Sequence, residues 1–168
     1  IHIPYISTAK GVELIRDAKK RKLDITASCS LAHLTFSEKD IPEFNTNYKI
    51  IPPLRSESDC KSLKDGLIDG TIDYVTSMHE PYDIDKKMVV FDYASSGTIA
   101  LESMFGLICK QFTLEKTIDI LTRKKDIFGI GDYPIEVGAN ANLTLFDPDK
   151  NYNKIPTDKK ELKEYIKN

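Results

Sequence analysis

Short apolar runs alternate with amphipathic stretches along residues 1–125. The runs at 1–6, 23–29 and 71–77 are rich in β-prone residues and end in polar ones, which predicts buried strands. The stretches between them carry apolar residues at helical spacing, which predicts helices with one buried face. Strand, helix and strand in succession favour parallel pairing with right-handed crossovers, so the pattern predicts an α/β fold.

Two helices are predicted in the first half of the chain. Ser7 or Thr8 caps the first helix, and Lys19 to Lys22 end it as a solvated cluster. Ser56 introduces the second helix, which Gly70 ends. The inward residues of the first helix are predicted to be Val12, Leu14, Ile15 and Ala18.

Two further helices are predicted in the second half. Residues 97–109 are apolar around most of the helical circumference, which indicates a well-buried helix. Residues 113–125 are amphipathic, and Thr113 is the expected cap. The side chains expected to face inward from this last helix are Ile118, Leu121 and Phe128.

The connecting segments have distinct characters. Residues 37–40 are expected to begin a short helix, and 45–55 to be extended because two prolines exclude a helix. Residues 83–92 form a charged connection. A turn and an alternating strand are predicted over 136–147, outside the α/β body, and a polar tail over 149–168.

Composition and charge narrow the class of protein. The chain has 168 residues, 40% apolar and 30% charged, which suits a soluble globular domain. With a formal net charge of −2, the chain has no overall positive charge that would attract nucleic acid or anionic lipid. No apolar run approaches the roughly 18 residues of a membrane span, and charged residues interrupt any signal peptide. We therefore expect a cytoplasmic protein that binds neither nucleic acid nor membrane.

Three scattered cysteines argue against a disulfide framework and for a reducing compartment. Cys29 and Cys109 are interpreted as small core residues, and Cys60, in a polar stretch, as a surface residue. The chain also begins with what looks like an interior strand, where a natural amino terminus seldom lies. We therefore expect it to be part of a longer chain.

The third strand ends abruptly in polar groups. Side chains just past the carboxyl end of a parallel strand face the ligand crevice of an α/β fold, which is where Ser77, Met78 and His79 stand. Met78 is the unusual residue, because a thioether neither accepts a catalytic proton nor suits a borderline metal such as zinc.

Four stretches carry recognisable motifs. They read NTNYKIIPPLRSE at 45–57, GLIDGTID at 66–73, GTIALE at 97–102 and EVGANANL at 136–143. In this order they resemble class I dihydroorotases of the amidohydrolase superfamily, whose corresponding stretches read D-T-N-Y-K-V-N-P-P-L-R-S-E, G-L-x-D-G-T-I-D, P-F-G-I-V-G-L-E and E-G-A-D-A-D-L. The resemblance covers nearly all of residues 1–150.

The resemblance implies the carboxyl-terminal part of a (β/α)8 barrel of the metallo-dependent hydrolase type. Residues 1–130 would be barrel strands six to eight with their helices, 131–148 the entry into a small β domain with one strand, and 149–168 a polar tail. The family's first metal ligands and its carboxylated lysine would lie upstream of residue 1.

The residues that carry the family's chemistry are replaced here. Tyr5 stands where the sixth strand has a zinc-binding histidine, and a neutral phenol is a poor zinc ligand at pH 7. Met78 takes the position of an aspartate that, in the family, contacts the metal and acts as the general base. Ile51 and Tyr82 replace an asparagine and a histidine that contact substrate. The resemblance therefore implies a retained scaffold without its catalytic groups.

We accordingly predict no catalytic residue and no metal ligand in this chain, and expect no cofactor. The remnants of the substrate pocket are predicted to be Ile51, His79, Tyr82, Ser96 and Gly97. The resemblance implies a catalytically inactive, dihydroorotase-like protein of pyrimidine biosynthesis that supports aspartate transcarbamoylase in a homo- or hetero-oligomer. The upstream half of the barrel is the other expected partner, because three strands would leave an open, apolar sheet edge.

Two alternatives remain open. One is an active zinc dihydroorotase, a cyclic amide hydrolase interconverting dihydroorotate and carbamoyl aspartate, with ligands from the upstream half and a rearranged base. Glu80, two residues after Met78, is a candidate for that base. The other is a non-catalytic scaffold of the dihydropyrimidinase type, which the motifs at 45–57 and 66–73 fit less well.

The remaining polar residues have structural interpretations. His2 and His33 lack a metal-ligand spacing, and His79 is either a pocket remnant or a residue that orders its loop. Arg55 is expected to pair with Glu57 or Asp59.

Overall fold

A computed structural model describes residues 1–123, 125–131 and 134–148. The chain divides into two units, 1–131 and 132–168, which are considered separately. The predicted polar tail at 149–168 lies outside the described residues, and the predicted domain limits at 130 and 148 remain predictions. No helix in the described part of the chain has the length and apolar character needed to cross a membrane.

The first unit contains three parallel strands in the order β1-β2-β3. They are β1 (His2–Ile3), β2 (Thr26–Ser30) and β3 (Tyr74–Thr76), so each predicted strand exists but is shorter than its apolar run. The helices are α1 (Ala9–Lys20), α2 (Leu31–Thr35), α3 (Glu57–Ile68), α4 (Ile84–Lys87), α5 (Met104–Cys109) and α6 (Leu114–Thr122).

One face of the sheet is apolar and packs against helices. Ile3, Ala27, Cys29 and Val75 point to this face and join the core cluster. The helices contribute Val12, Ile15, Leu63, Leu67, Ile108 and Ile120, all nearly inaccessible to solvent. Burial of these side chains is the main source of stability for the α/β unit.

The opposite face of the sheet is polar, and the expectation of an open, apolar sheet edge stays a prediction. His2 donates to or accepts from Thr26 Oγ1 at 2.9 Å and Ser28 Oγ at 3.2 Å through its two ring nitrogens. The Tyr74 hydroxyl lies 2.9 Å from His2 Nε2, and the two rings stack. The period of two in a strand sends these residues to one side, where they satisfy one another by hydrogen bonds.

Helix α1 begins as predicted, with the Thr8 side chain accepting from the Gly11 amide. Val12 and Ile15 are buried, but the prediction for Leu14 was wrong, since it is 60% exposed. Leu14 is two positions from Val12, which is about 200° around a helix with 3.6 residues per turn. The prediction that Lys19 is solvated was also wrong, because its ammonium group binds the Asp73 carboxylate.

Helix α3 begins at the predicted cap. The Ser56 side chain accepts from the Asp59 amide, and the Asp59 carboxylate accepts from Ser56 in return, as in a capping box. Gly70 follows the helix with φ +79°, a conformation that glycine adopts without strain. Cys60 is buried on this helix rather than at the surface, and its thiol donates to the Phe36 carbonyl at 3.3 Å.

The expected ion pair of Arg55 is not formed with either predicted partner. Glu57 instead pairs with Lys39 at 3.0 Å. Asp59 accepts from Ser56 and from the Ala9 amide, which ties α3 to the start of α1. These local partners satisfy both carboxylates without Arg55.

The predicted helix over 97–109 is formed only at Met104–Cys109. Thr98 pairs with His79 instead, so the first residues of the run are extended. Tertiary pairing overrides the helical pattern here.

In α6 the buried residues are Thr117 and Ile120. Leu121 is half-buried against the core as predicted, but the prediction for Ile118 was wrong because its side chain is exposed. The prediction for Phe128 was also wrong, because this residue lies beyond the end of α6 and is exposed.

The connections contain short turns of helix. Glu38–Asp40 is a 3-10 turn, as the prediction for 37–40 suggested. Thr46–Tyr48 is also a 3-10 turn, so the loop at 45–55, predicted to be extended, is helical over these three residues. Helix α4 lies within the charged connection at 83–92.

The second unit is described over 134–148, and no strand is formed among those residues. The alternating strand predicted for 136–147 was therefore wrong as a local structure. Leu143 and Leu145 are exposed, so the alternation has no partner strand within the described residues.

Candidate functional site

The three parallel strands end at one edge of the sheet, where the chain places its chemically distinctive side chains. Tyr5 follows β1, Ser30 ends β2 and leads directly into α2, and Met78 and His79 follow β3. Because the carboxyl ends of parallel strands meet at one edge, the positions that the sequence singled out on β1 and β3 share this edge.

Tyr5 and Met78 share an unusual backbone conformation. Their φ angles are +53° and +52°, in the left-handed region that side chains other than glycine rarely adopt. Such residues cost about 1–2 kcal/mol each and cluster at functional edges of a fold. The backbone at the two strand ends thus has a common geometry, although the side chains are a phenol and a thioether.

Tyr5 and Met78 do not fit a zinc centre. Zinc takes thiolate, imidazole or carboxylate ligands, and Tyr5 and Met78 offer none of these in the form available at pH 7. Across the described residues, no group of three histidine, cysteine, aspartate or glutamate side chains could hold a metal ion. This part of the chain therefore contributes no recognisable ligand set of its own.

His79 holds two chain segments together through one ring nitrogen. Its Nδ1 accepts hydrogen bonds from the Ala100 and Leu101 amides, both at 3.2 Å. Because Nδ1 is an acceptor, the neutral ring carries its proton on Nε2. His79 as a whole residue is exposed.

Tyr82 and Gly97 meet beside His79. A Cβ atom on Gly97 would lie 2.5 Å from the Glu80 carbonyl oxygen and 2.7 Å from Tyr82 Cε2, so only glycine fits. The Tyr82 hydroxyl donates to Glu80 Oε1 at 2.9 Å, and this bond raises the pKa of Tyr82. The Glu80 carboxylate is thereby engaged with a phenol at the surface.

Ile51 and Ser96 belong to the two loops that meet here. The Gly97 amide donates to the Lys49 carbonyl at 2.9 Å, which joins residues 49–51 to residues 96–97. Ile51 is exposed and Ser96 is half-buried. The structure therefore brings His79, Tyr82 and Gly97 together and places Ile51 and Ser96 on the adjoining loops; their role as pocket remnants remains a prediction.

Two lysines tie these loops, and the sequence did not reveal them. Lys49 Nζ donates to the Phe91 and Asp92 carbonyls at 2.7 and 2.9 Å. Lys87 Nζ donates to the Ser95 and Gly97 carbonyls at 2.9 and 2.8 Å. Partial burial, together with the nearby Lys49 charge, lowers the pKa of Lys87. A lysine in a polar loop gives no sign in the sequence that its partners are backbone carbonyls.

His33 has a structural position, as the sequence interpretation suggested. Its Nε2 donates to the Pro52 carbonyl at 2.9 Å, and its Nδ1 lies 2.7 Å from Ser30 Oγ. Burial lowers the pKa of His33 below its ordinary value. With both ring nitrogens occupied, His33 anchors the proline loop to the end of β2 and is not free to bind a ligand.

Comparison with known sequences gives a consistent result. The chain is 39% identical to the dihydroorotase of Bacillus licheniformis over 87% of its own length, and 38% identical to that of Bacillus subtilis over 89%. In both cases it spans 36% of the relative, so it corresponds to about a third of these proteins. No family model matches the chain.

Solved structures show the same fold. An L-hydantoinase (dihydropyrimidinase) from Arthrobacter aurescens matches 83% of the chain with a TM-score of 0.71 and 24% identity, over 34% of that enzyme. A dihydroorotase from Saccharomyces cerevisiae in complex with 5-fluoroorotic acid matches 73% of the chain with a TM-score of 0.63 and 16% identity, over 36% of that chain.

These matches confirm the predicted fold class, and the order of the motifs places the match toward the carboxyl end of the relatives. The chain is a dihydroorotase-like member of the amidohydrolase superfamily, and its first unit is the carboxyl-terminal part of the barrel.

Proposed function

We propose that the full-length protein is a dihydroorotase-like component of pyrimidine biosynthesis that has lost catalysis and acts as a structural partner of aspartate transcarbamoylase. The observation that carries the proposal is the pair Tyr5 and Met78 at the carboxyl ends of β1 and β3. At these positions the family resemblance expects an imidazole that binds zinc and a carboxylate that moves a proton.

The motifs around these positions resemble those of the family, which supports a retained scaffold. In this chain Gly97 packs where no Cβ fits, His79 links β3 to the following segment, and the loops at 45–55 and 83–97 are joined by hydrogen bonds. A metal-activated water needs a positive centre and a nearby base. A thioether and a neutral phenol supply neither, so the preserved packing is expected to serve assembly.

We also propose that the upstream half of the barrel completes this sheet. In the described residues β1 pairs only with β2, and the polar face of the sheet carries His2 and Tyr74. A free strand edge is a template for further pairing. Residues 1–168 produced alone are expected to aggregate or remain partly unfolded, and soluble, cooperative folding as a monomer at high concentration would contradict this.

The proposal is tested on the full-length protein together with the aspartate transcarbamoylase of its organism. We expect purified protein without stoichiometric zinc and without dihydroorotate turnover, but with co-migration of the two proteins in size-exclusion chromatography. The three cysteines are free thiols, which suits the proposed cytoplasmic location.

An active zinc dihydroorotase is the competing function. Stoichiometric zinc, together with turnover that a chelator abolishes, would establish that function and reject the loss of catalysis. Separate elution of the two proteins at micromolar concentrations would reject the structural partnership, whatever the result of the metal analysis.

A further inference from the structure

The ring of His79 provides one acceptor for two consecutive backbone amides. Its Nδ1 atom accepts from the Ala100 amide and from the Leu101 amide, both at 3.2 Å. Neither amide bonds to another acceptor among the described residues. Both bonds therefore depend on a lone pair at a single titratable atom.

These bonds hold the segment at residues 98–101 against the end of β3. Thr98 forms a parallel bridge with His79, and its carbonyl accepts from the Glu80 amide at 2.9 Å. Ala100 is 5% exposed and belongs to the hydrophobic core. An amide at a buried residue is costly to leave without an acceptor, so the position of the segment depends on the His79 bonds. We call the two bonds to His79 Nδ1 the His79 latch.

Protonation of the ring would reverse the role of Nδ1. A neutral imidazole has one acceptor nitrogen, whereas the imidazolium ion has two N–H donors and no acceptor. A hydrogen on Nδ1 would point at the amide hydrogens of Ala100 and Leu101, so both bonds would be lost. Histidine is the side chain that ordinarily changes charge between pH 5 and 8, which makes this reversal accessible near neutral pH.

Charges of both signs lie on the segments around His79. Two carboxylates there would favour the imidazolium ion, and two ammonium groups would oppose it. The Tyr82 phenol stays neutral, because its bond to Glu80 raises its pKa. The acceptor role of Nδ1 is therefore the local feature with a definite sign. The titratable groups on the segments bonded to His79, and on the loops tied to residues 95–97, are Glu80, Tyr82, Glu102, Lys49 and Lys87.

We propose that the His79 latch is a pH-sensitive contact: the neutral ring holds residues 98–101 on the end of β3, and the protonated ring releases them. The released form binds one proton more than the held form, so a lower pH favours release. Every contact of the latch lies within the described residues, so it does not depend on what covers this edge of the sheet in the full-length protein. It also requires neither turnover nor a partner, and it therefore stands or falls separately from the proposed function.

Hydrogen exchange of the Ala100 and Leu101 amides tests the release. The full-length protein is measured at pH 7.5 and pH 5.5, and each rate is divided by the intrinsic rate of an unfolded chain at the same pH. We expect the protection of both amides to fall by about tenfold or more at the lower pH, because release binds one proton. Equal protection at the two pH values would overturn the proposal.

The variant His79→Asn separates protonation from loss of the acceptor. Asparagine offers its Oδ1 atom near the position of Nδ1 and does not titrate, so protection of the two amides should no longer change with pH. His79→Ala has no acceptor, and both amides should exchange rapidly at either pH. A fall in the asparagine variant as large as in wild type would assign the effect to another group and reject the role of His79.

The matched control is His33→Gln, which removes a second histidine from the same fold. The His33 ring bonds to the Pro52 carbonyl and to Ser30, away from residues 98–101. The fall in protection at Ala100 and Leu101 should therefore persist in this variant. Its disappearance would show that the fall reports a general loss of stability, which contradicts a local latch.

The nitrogen NMR shifts of the His79 ring give a readout that needs no substitution. In the full-length protein at pH 7.5 the ring should be neutral with its proton on Nε2, which leaves Nδ1 free to accept the two amides. A proton on Nδ1 at this pH would mean that the latch is not formed, and the inference would be wrong.

Discussion

The ammonium group of Lys19 lies 2.9 and 2.8 Å from the two carboxylate oxygens of Asp73, whose side chain is 3% exposed. Asp73 also accepts from the Ala27 amide at 2.8 Å and donates its own amide to the Ala27 carbonyl. Lys19 makes a third bond to the Gly70 carbonyl. One aspartate thus joins the last turn of α1, the start of β2 and the turn before β3.

Removal of the Asp73 charge should destabilise the fold strongly. In Asp73→Ala the Lys19 ammonium loses its ion-pair partner and the Ala27 amide loses an acceptor, so we expect a loss of about 3 kcal/mol in the free energy of unfolding. Urea denaturation of the full-length protein measures this. Asp17→Ala, whose exposed carboxylate lies 3.8 Å from Arg21, should cost less than about 1 kcal/mol. Comparable losses in the two variants would contradict the structural role of Asp73.

His33 should make stability depend on pH. Burial lowers the pKa of His33 in the folded state, so below about pH 6.5 the unfolded chain binds the proton more readily than the folded one. The contribution of His33 to the free energy of unfolding is therefore fully present above the pKa of the unfolded state. It declines as the pH falls toward the lower pKa of the folded state.

The variant His33→Gln should remove that part of the pH dependence. Glutamine retains an amide donor for the Pro52 carbonyl but does not titrate. We expect the difference in unfolding free energy between pH 7.5 and pH 5.5 to be smaller in the variant than in wild type. An identical difference in both proteins would show that His33 does not set it.

Gly97 and Gly106 should respond to alanine in opposite directions. A Cβ on Gly97 would lie 2.5 Å from the Glu80 carbonyl oxygen, a backbone atom that cannot move aside cheaply, so Gly97→Ala is expected to cost about 1–3 kcal/mol. Gly106 lies within α5 with no atom within 4 Å of its Cβ position, so Gly106→Ala should stabilise by about 0.5–1 kcal/mol. Thermal unfolding distinguishes the two signs.

Lys22 offers a stabilising substitution. It is an exposed residue with φ +58° just after α1, where its amide donates to the Lys19 carbonyl and closes the helix. Lys22→Gly removes the cost of a side chain in the left-handed region and should stabilise by about 1 kcal/mol. Lys20→Gly, inside the last turn of the same helix, should destabilise by a similar amount. A loss of stability in Lys22→Gly would contradict the backbone geometry.

Local signals in the sequence predicted helix starts well. Thr8, Ser56 and Thr113 cap α1, α3 and α6 as expected, because a cap depends on residues three positions apart. Predictions that depended on distant partners were less successful. Cys60 looked like a surface residue because its neighbours in the sequence are polar, yet its own face of α3 is buried.

The candidate site shows the same division. The residue types at Tyr5 and Met78 could be judged from the sequence alone, since their chemistry does not depend on their surroundings. The partners of His79 could not be predicted, because Ala100 and Leu101 lie more than twenty residues away and belong to a run that looks helical. Pairing of Thr98 with His79 makes the first residues of that run extended.

The sequence by itself determined the parallel α/β character, the main helix starts and the identity of the side chains at the strand ends. These follow from periodicity and from chemistry carried by single residues or near neighbours. Only the tertiary structure decided that Lys19 forms an ion pair with Asp73 and that one face of the sheet carries a network of polar side chains. It also decided that Lys49 and Lys87 connect two loops by hydrogen bonds to backbone carbonyls. Such contacts join residues far apart in the chain, and a carbonyl acceptor is present at every position, so no local pattern specifies which one a side chain will reach.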